Sequence, residues 1–133
     1  MLLALSLSLY SCGGVGGALN DMYGDDGVAK TLVITGIRGY SGDVVVSITS
    51  TTSPNSMVAF GKAAISGNKV TVPLVDAKRE GTQWTGKGRY YIILGFDKST
   101  AIYFHSGGGT APLKYNISDA TTTIALDKFQ RRK

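Results

Sequence analysis

From Thr31 onward the apolar residues of the chain recur at every second position. Leu32 and Ile34 alternate with Val33 and Thr35, and Val44, Val46 and Ile48 with Val45, Ser47 and Thr49. Val70, Val72 and Leu74 alternate with Lys69, Thr71 and Pro73. The longest series is Tyr90, Ile92, Leu94 and Phe96, interleaved with Arg89, Tyr91 and Ile93. Ile102 and Phe104 follow, then Leu113, Tyr115 and Ile117, then Ile124 and Leu126, and a short run near 57–60 extends toward Ile65. A period of two is the signature of half-buried strands. No window places apolar residues at i, i+3, i+4 and i+7.

Turn residues fall between these runs. Gly39 to Gly42 separates the first two strands, Ser53-Pro54-Asn55 the second from the third, and Gly107 to Gly109 two later ones. Gly67-Asn68 reads as a two-residue hairpin loop with glycine first. The expected fold is all-β: a single antiparallel β-sandwich of about seven to eight strands over residues 31–129, with a small β-barrel as the alternative.

One hairpin register can be argued from residues alone. A three-residue loop, Asp97-Lys98-Ser99, brings Ile92 and Leu94 onto one face with Ile102 and Phe104. Slipping by one residue exchanges the faces and sends Tyr103 and His105 inward. Apolarity favours the odd-length loop. The opposite face then carries Arg89, Tyr91, Ile93, Ala101, Tyr103 and His105, aromatic and basic side chains that suit either a contact surface or a sheet face covered by loops or the tether.

At 133 residues there is room for one domain and an appendage. Apolar residues make up 43% and charged residues 17%, a balance that argues against wholesale disorder. One cysteine and one histidine exclude an intrachain disulfide and any zinc site built from these two residue types. Catalytic templates are equally scarce. Ser106 adjoins His105, but neighbouring side chains on a strand point to opposite faces. There is no G-x-S-x-G elbow, Walker A loop or H-E-x-x-H. The acidic patch Asp21, Asp25, Asp26 fails the calcium-loop template, since Tyr23 occupies its third position and Asp26 its sixth, and reads as solvated linker. The expectation is a non-enzyme without metal or cofactor.

The net charge of +5 gathers at Lys78-Arg79, Lys87, Arg89 and the tail from Lys128 to Lys133. Such patches attract anionic partners without specifying which, and a solvated tail is the default reading. Trp84 lies in Gly81-Thr-Gln-Trp84-Thr-Gly-Lys-Gly-Arg-Tyr90-Tyr and has two readings. It is either a core plug closing one end of the sandwich or a stacking platform beside Lys87 and Arg89; burial is favoured by its large apolar area.

The start of the chain has a different character. Residues 2–10 are apolar apart from two serines, too short to span a bilayer and long enough for the apolar part of a secretory leader. The expected basic start is missing, which predicts a lysine-bearing stub encoded upstream of Met1. The run ends in Leu9-Tyr10-Ser11-Cys12, which resembles the lipobox of bacterial lipoproteins, although Tyr10 stands where that motif has a small residue. The Trp-Thr-Gly-x-Gly-x-Tyr-Tyr stretch at Trp84 to Tyr91 is similar to one in small β-domains of bacterial, notably treponemal-type, surface lipoproteins. The resemblance implies lipid attachment at Cys12 and a cell-envelope location, on an outer membrane or surface. It divides the chain into a leader (1–11), a lipidated cysteine and tether (12–30), the sandwich (31–129) and a basic tail (130–133). The chain as a whole reads as a binding or interaction module, with membrane contact through the lipid. Its partner is a host protein, a glycan or another envelope protein, and nucleic acid is not expected. Structural docking and carriage of a small apolar ligand are the alternatives. Trp84, Arg89, Tyr91, Tyr103 and His105 are the candidate binding surface.

Overall fold

A computed structural model describes residues 23–50, 56–79 and 81–132. The expected loop at Ser53 to Asn55, the leader and Cys12 lie outside the described residues. The described part is all-β, with one short 3-10 turn at Leu126–Lys128.

Eleven strands are present among the described residues. They are β1 (Tyr23–Asp25), β2 (Thr31–Thr35), β3 (Asp43–Ser50), β4 (Met57–Ala64), β5 (Val70–Pro73), β6 (Val75–Asp76), β7 (Gly86–Phe96), β8 (Ile102–His105), β9 (Tyr115–Ile117), β10 (Thr121–Ala125) and β11 (Phe129–Arg131). The strands beyond the expected seven or eight include β1, β6 and β11, each two or three residues long. Such segments are too short to display a period.

Two sheets face each other without closing into a barrel. The larger runs β11-β8-β7-β3-β4-β6, with β1 and β9 also paired to β7. The smaller runs β10-β2-β5. All pairings are antiparallel except β10 with β2. The eleven-residue β7 is the spine of the molecule: β3 and β1 share one of its edges, and β8 and β9 the other.

The predicted alternation fills the space between the sheets. Val44, Val46, Ile48, Ile92 and Leu94 from the large sheet meet Leu32, Ile34, Val70, Val72 and Ile124 from the small one. Each such side chain taken out of water contributes roughly 1.5–3 kcal/mol. The sheets come close together where β5 passes β4. A Cβ on Gly61 would stand 2.5 Å from a Val72 methyl and 2.6 Å from the Pro73 carbonyl oxygen, so only glycine fits.

Four expectations are corrected. The β7–β8 hairpin has the even register: Leu94 faces Tyr103, and Gly95 faces Ile102. Its loop is the four-residue Asp97 to Thr100. Phe96 N–H donates to the Ala101 carbonyl at 3.3 Å, and Ser99 Oγ accepts the Ala101 N–H at 3.1 Å. Tyr103 and His105 therefore point inward, while Ile102 and Phe104 point out. The inward rings keep their polar tips satisfied. Tyr103 shares a 2.8 Å hydrogen bond with the hydroxyl of Tyr40, which stacks on Phe96 at 4.1 Å. His105 Nδ1 donates to the Leu113 carbonyl at 3.0 Å.

The Gly67-Asn68 turn is the second correction. Both residues have positive φ, 63° and 65°, which is a type I′ turn rather than one with glycine alone in that region. The third concerns the segment expected to be solvated linker. From Tyr23 it is part of the domain: β1 pairs with Gly86 to Gly88, and Lys30 is buried. The Lys30 ammonium donates to Asp26 Oδ1 at 2.6 Å and to the Val28 carbonyl at 2.7 Å. At the other end, Arg131 belongs to β11 rather than to a free tail.

Candidate binding site

The expected surface of Trp84, Arg89, Tyr91, Tyr103 and His105 is not one surface. Arg89 and Tyr91 lie on the outer side of the large sheet. Trp84, Tyr103 and His105 belong to its inner side.

Trp84 is 5% exposed, which settles its two readings in favour of the core. Its indole lies against Gly86, where an added Cβ would come within 2.5 Å of the ring. Tyr90 meets it edge-on at 5.3 Å and donates its hydroxyl to the Lys87 carbonyl. Gly88 takes φ 135°, a conformation that L side chains rarely adopt, at the point where β1 and β9 flank β7. The motif residues thus have a local structural reason: glycines that admit the indole and the backbone, and a tyrosine that braces it.

On the inner side, burial and then the Tyr40 hydrogen bond push the Tyr103 phenol up to about 12. His105 is ringed by Tyr115 and Phe129. A carbonyl is the partner of its Nδ1, so that nitrogen carries the proton. Neighbouring Ser106 accepts the Gly108 N–H through its hydroxyl oxygen at 3.2 Å. No group of three His, Cys, Asp or Glu residues able to hold a metal ion occurs among the described residues.

The outer side carries a groove of about 440 Å³. Tyr91 and Ile93 from β7, Ile102 and Phe104 from β8, and Thr49 from β3 supply its floor, with Pro112 and Arg132 at its rim. Ile92 and His105 also border it, through backbone, since alternation turns their side chains inward. Ile93 and Ile102 are 37% and 38% exposed, and Val45 continues the apolar band beside Gly95. The register makes this face. Ser47, Ile93, Phe104 and Gln130 stand in one row, and Val45, Gly95 and Ile102 in the next. The sequence pattern places Thr49, Tyr91 and Ile93 outward, but not Ile102, Phe104, Pro112 or Arg132. An even-length loop between β7 and β8 was the signal that finds Ile102 and Phe104; nothing in the sequence points to Pro112 or Arg132.

No helix among the described residues is long and apolar enough to cross a membrane. No protein-family model, curated protein or solved structure matches the chain.

Proposed function

We propose that the chain is a cell-envelope lipoprotein whose β-sandwich is a non-catalytic binding module, and that it binds through the outer face of the large sheet. The observation that carries the binding role is the groove itself. It exposes large apolar side chains in the middle of a sheet, where a water-facing surface ordinarily carries polar ones. Its volume lies in the range of ordinary ligand sites, roughly 300–1,000 Å³. Support for the envelope location comes from the apolar run ending at Cys12, followed by Gly13 to Gly17. Ten residues separate Cys12 from Tyr23, so a lipid there would hold the domain within roughly 40 Å of the membrane.

Two experiments test the two halves. Intact mass of the protein from its own cells is expected to start at Cys12 with added acyl chains; an unmodified chain retaining Met1 overturns the anchor. Ile93→Lys is expected to abolish binding to the partner without lowering the melting temperature. Undiminished binding overturns the assignment of the face.

A second reading, docking onto another envelope protein, is favoured by one feature. The outer edge of β10 has no strand beside it among the described residues, and a free edge accepts a further strand. Loss of assembly in Thr123→Pro, with the groove variant unaffected, would select this reading.

A further inference from the structure

The groove has a chemistry more specific than apolarity. At one end stand Thr49 and Tyr91, at the other Arg132, and no acid lies in its lining among the described residues. Thr49 is 8% exposed. Its hydroxyl, the Tyr91 hydroxyl and the Arg132 guanidinium form no hydrogen bond or ion pair among the described residues. A ligand oxygen brought against these groups would give them hydrogen-bond partners that the described residues do not supply.

Strand geometry gives the length. Tyr91 and Gly95 are four residues apart on β7, roughly 13 Å, and three strand spacings from β3 to β11 add roughly 14 Å sideways. The two polar ends are therefore on the order of 20 Å apart. Spread over that distance, 440 Å³ leaves a cross-section on the order of 20 Å², the width of a single hydrocarbon chain.

The floor also discriminates among ligand classes. β3 and β8 are paired on both sides, and β7 along most of its length, with only Tyr91 and Ile92 falling between the β9 and β8 ladders; backbone groups lie in the plane of a sheet, so its face offers a ligand few N–H or carbonyl partners. A peptide or a sugar lying there would leave most of its own polar groups unpartnered, which is costly. A methylene chain has none to leave.

Resting on the reading of the outer face as a binding surface, we propose that the groove takes a single-chain amphiphile with polar groups at both ends. Its anionic head pairs with Arg132, its chain crosses Ile93, Ile102 and Phe104, and a hydroxyl at its far end meets Thr49 and Tyr91. The simplest member of this class is an ω-hydroxy long-chain carboxylate.

The test is displacement of a fluorescent polyene fatty acid from the purified full chain, with ω-hydroxyhexadecanoate, hexadecanoate and 1-hexadecanol below their micellar concentrations. The hydroxy acid is expected to bind most tightly. Arg132→Ala weakens it at least tenfold, the scale of one charge-assisted hydrogen bond. Thr49→Val abolishes the preference of the hydroxy acid over hexadecanoate. Both variants are expected to keep the parent melting temperature, and should Thr49→Val unfold, Tyr91→Phe replaces it. Absence of displacement, or variants that bind all three probes as the parent does, overturns the proposal. Binding seen only with anionic phospholipid vesicles overturns it too. An envelope-protein interaction lost in Ile93→Lys, in a chain that binds no amphiphile, overturns the ligand and leaves the binding module standing.

Discussion

Replacing Gly86 by alanine introduces a single methyl group into the tightest contact of the Trp84 motif. The new Cβ would lie 2.5, 2.6 and 2.7 Å from three atoms of the indole. Ordinary carbon contacts are about 3.5–4.0 Å, so the ring has to retreat by roughly 1 Å. It has little room to do so. Its backbone is fixed by N–H donation to the Leu74 carbonyl at 2.9 Å and by the Lys30 N–H donated to its own carbonyl at 3.1 Å. Tyr90 blocks one edge. Swinging the indole into water would expose about 150–250 Å² of aromatic surface, which at ~25 cal/mol/Å² costs about 4–6 kcal/mol. Local overpacking is cheaper, typically about 1–3 kcal/mol, and sets the expected loss at about 2 kcal/mol. Backbone strain adds nothing, because Gly86 is outside the positive-φ region. Trp84 is the sole tryptophan and reports the event directly. Urea unfolding followed by its fluorescence should show a lower midpoint with native emission little changed; emission shifted to the red would mean that the ring has left the core. Gly95→Ala is the control, since a Cβ there meets nothing within 4 Å. It should be neutral or stabilising by about 0.4–1 kcal/mol. Equal midpoints for Gly86→Ala and Gly95→Ala would refute the packing argument.

The remaining expectations concern the register, the buried ion pair and the phenol. Ile102→Ser should cost under about 1 kcal/mol, and Tyr103→Ser about 2 kcal/mol or more, measured by chemical denaturation; the reverse order would restore the odd register. Asp26→Asn should cost about 2–3 kcal/mol, because Lys30 has no exposed surface and is left with the Val28 carbonyl alone. Lys30→Met should cost less, since Asp26 keeps a quarter of its side-chain surface in water. Burial raises the Asp26 carboxyl, but the Lys30 hydrogen bond, the Val28 N–H and the Lys30 charge outweigh it and hold the group below 3.8. Its stabilisation is thus complete above the unfolded value and lost as pH falls through the folded one. An acid titration of stability should lose that component in Asp26→Asn. Tyr103 has the opposite sign: the phenol is raised to about 12, so its contribution is intact below pH 10 and disappears as pH rises from 10 to 12. Tyr103→Phe should remove that alkaline component and cost about 1 kcal/mol at neutral pH, the worth of one hydrogen bond.

The sandwich was legible because its long strands keep strict alternation against a purely apolar partner. Leu32, Ile34, Val44, Val46, Ile48, Ile92 and Leu94 are all buried as the period predicts. The grooved outer face was not, and the reason is specific. Apolarity ranks Ile102 and Phe104 above Tyr103 and His105, whereas the fold ranks rings whose polar tips find partners across the chain. Tyr40, 63 residues before Tyr103, is one such partner, and no local pattern announces a contact of that range. β1 was hidden for a related cause. Three residues of strand are held by their partner β7 and by the Lys30 ammonium beyond them; Asp26, which looks like linker, is that ammonium's counter-charge, and Asp25 is a local cap.

The pairing of β1 with β7 has a mechanical consequence. A tension applied to a tether ahead of Tyr23 would enter the domain through that ladder. Pulled along the strand, the ladder is sheared and its hydrogen bonds share the load; pulled across it, they open one at a time. Behind them the Asp26–Lys30 contact is the second catch, tying the segment to the backbone at Trp84 and so to the core. A chain held by its first residues should therefore yield in two steps, β1 before the sandwich. Single-molecule extension from the N-terminus would record the short first step, and Lys30→Met should merge it with slack. A single rupture of the whole domain in the parent would show that β1 bears no separate load.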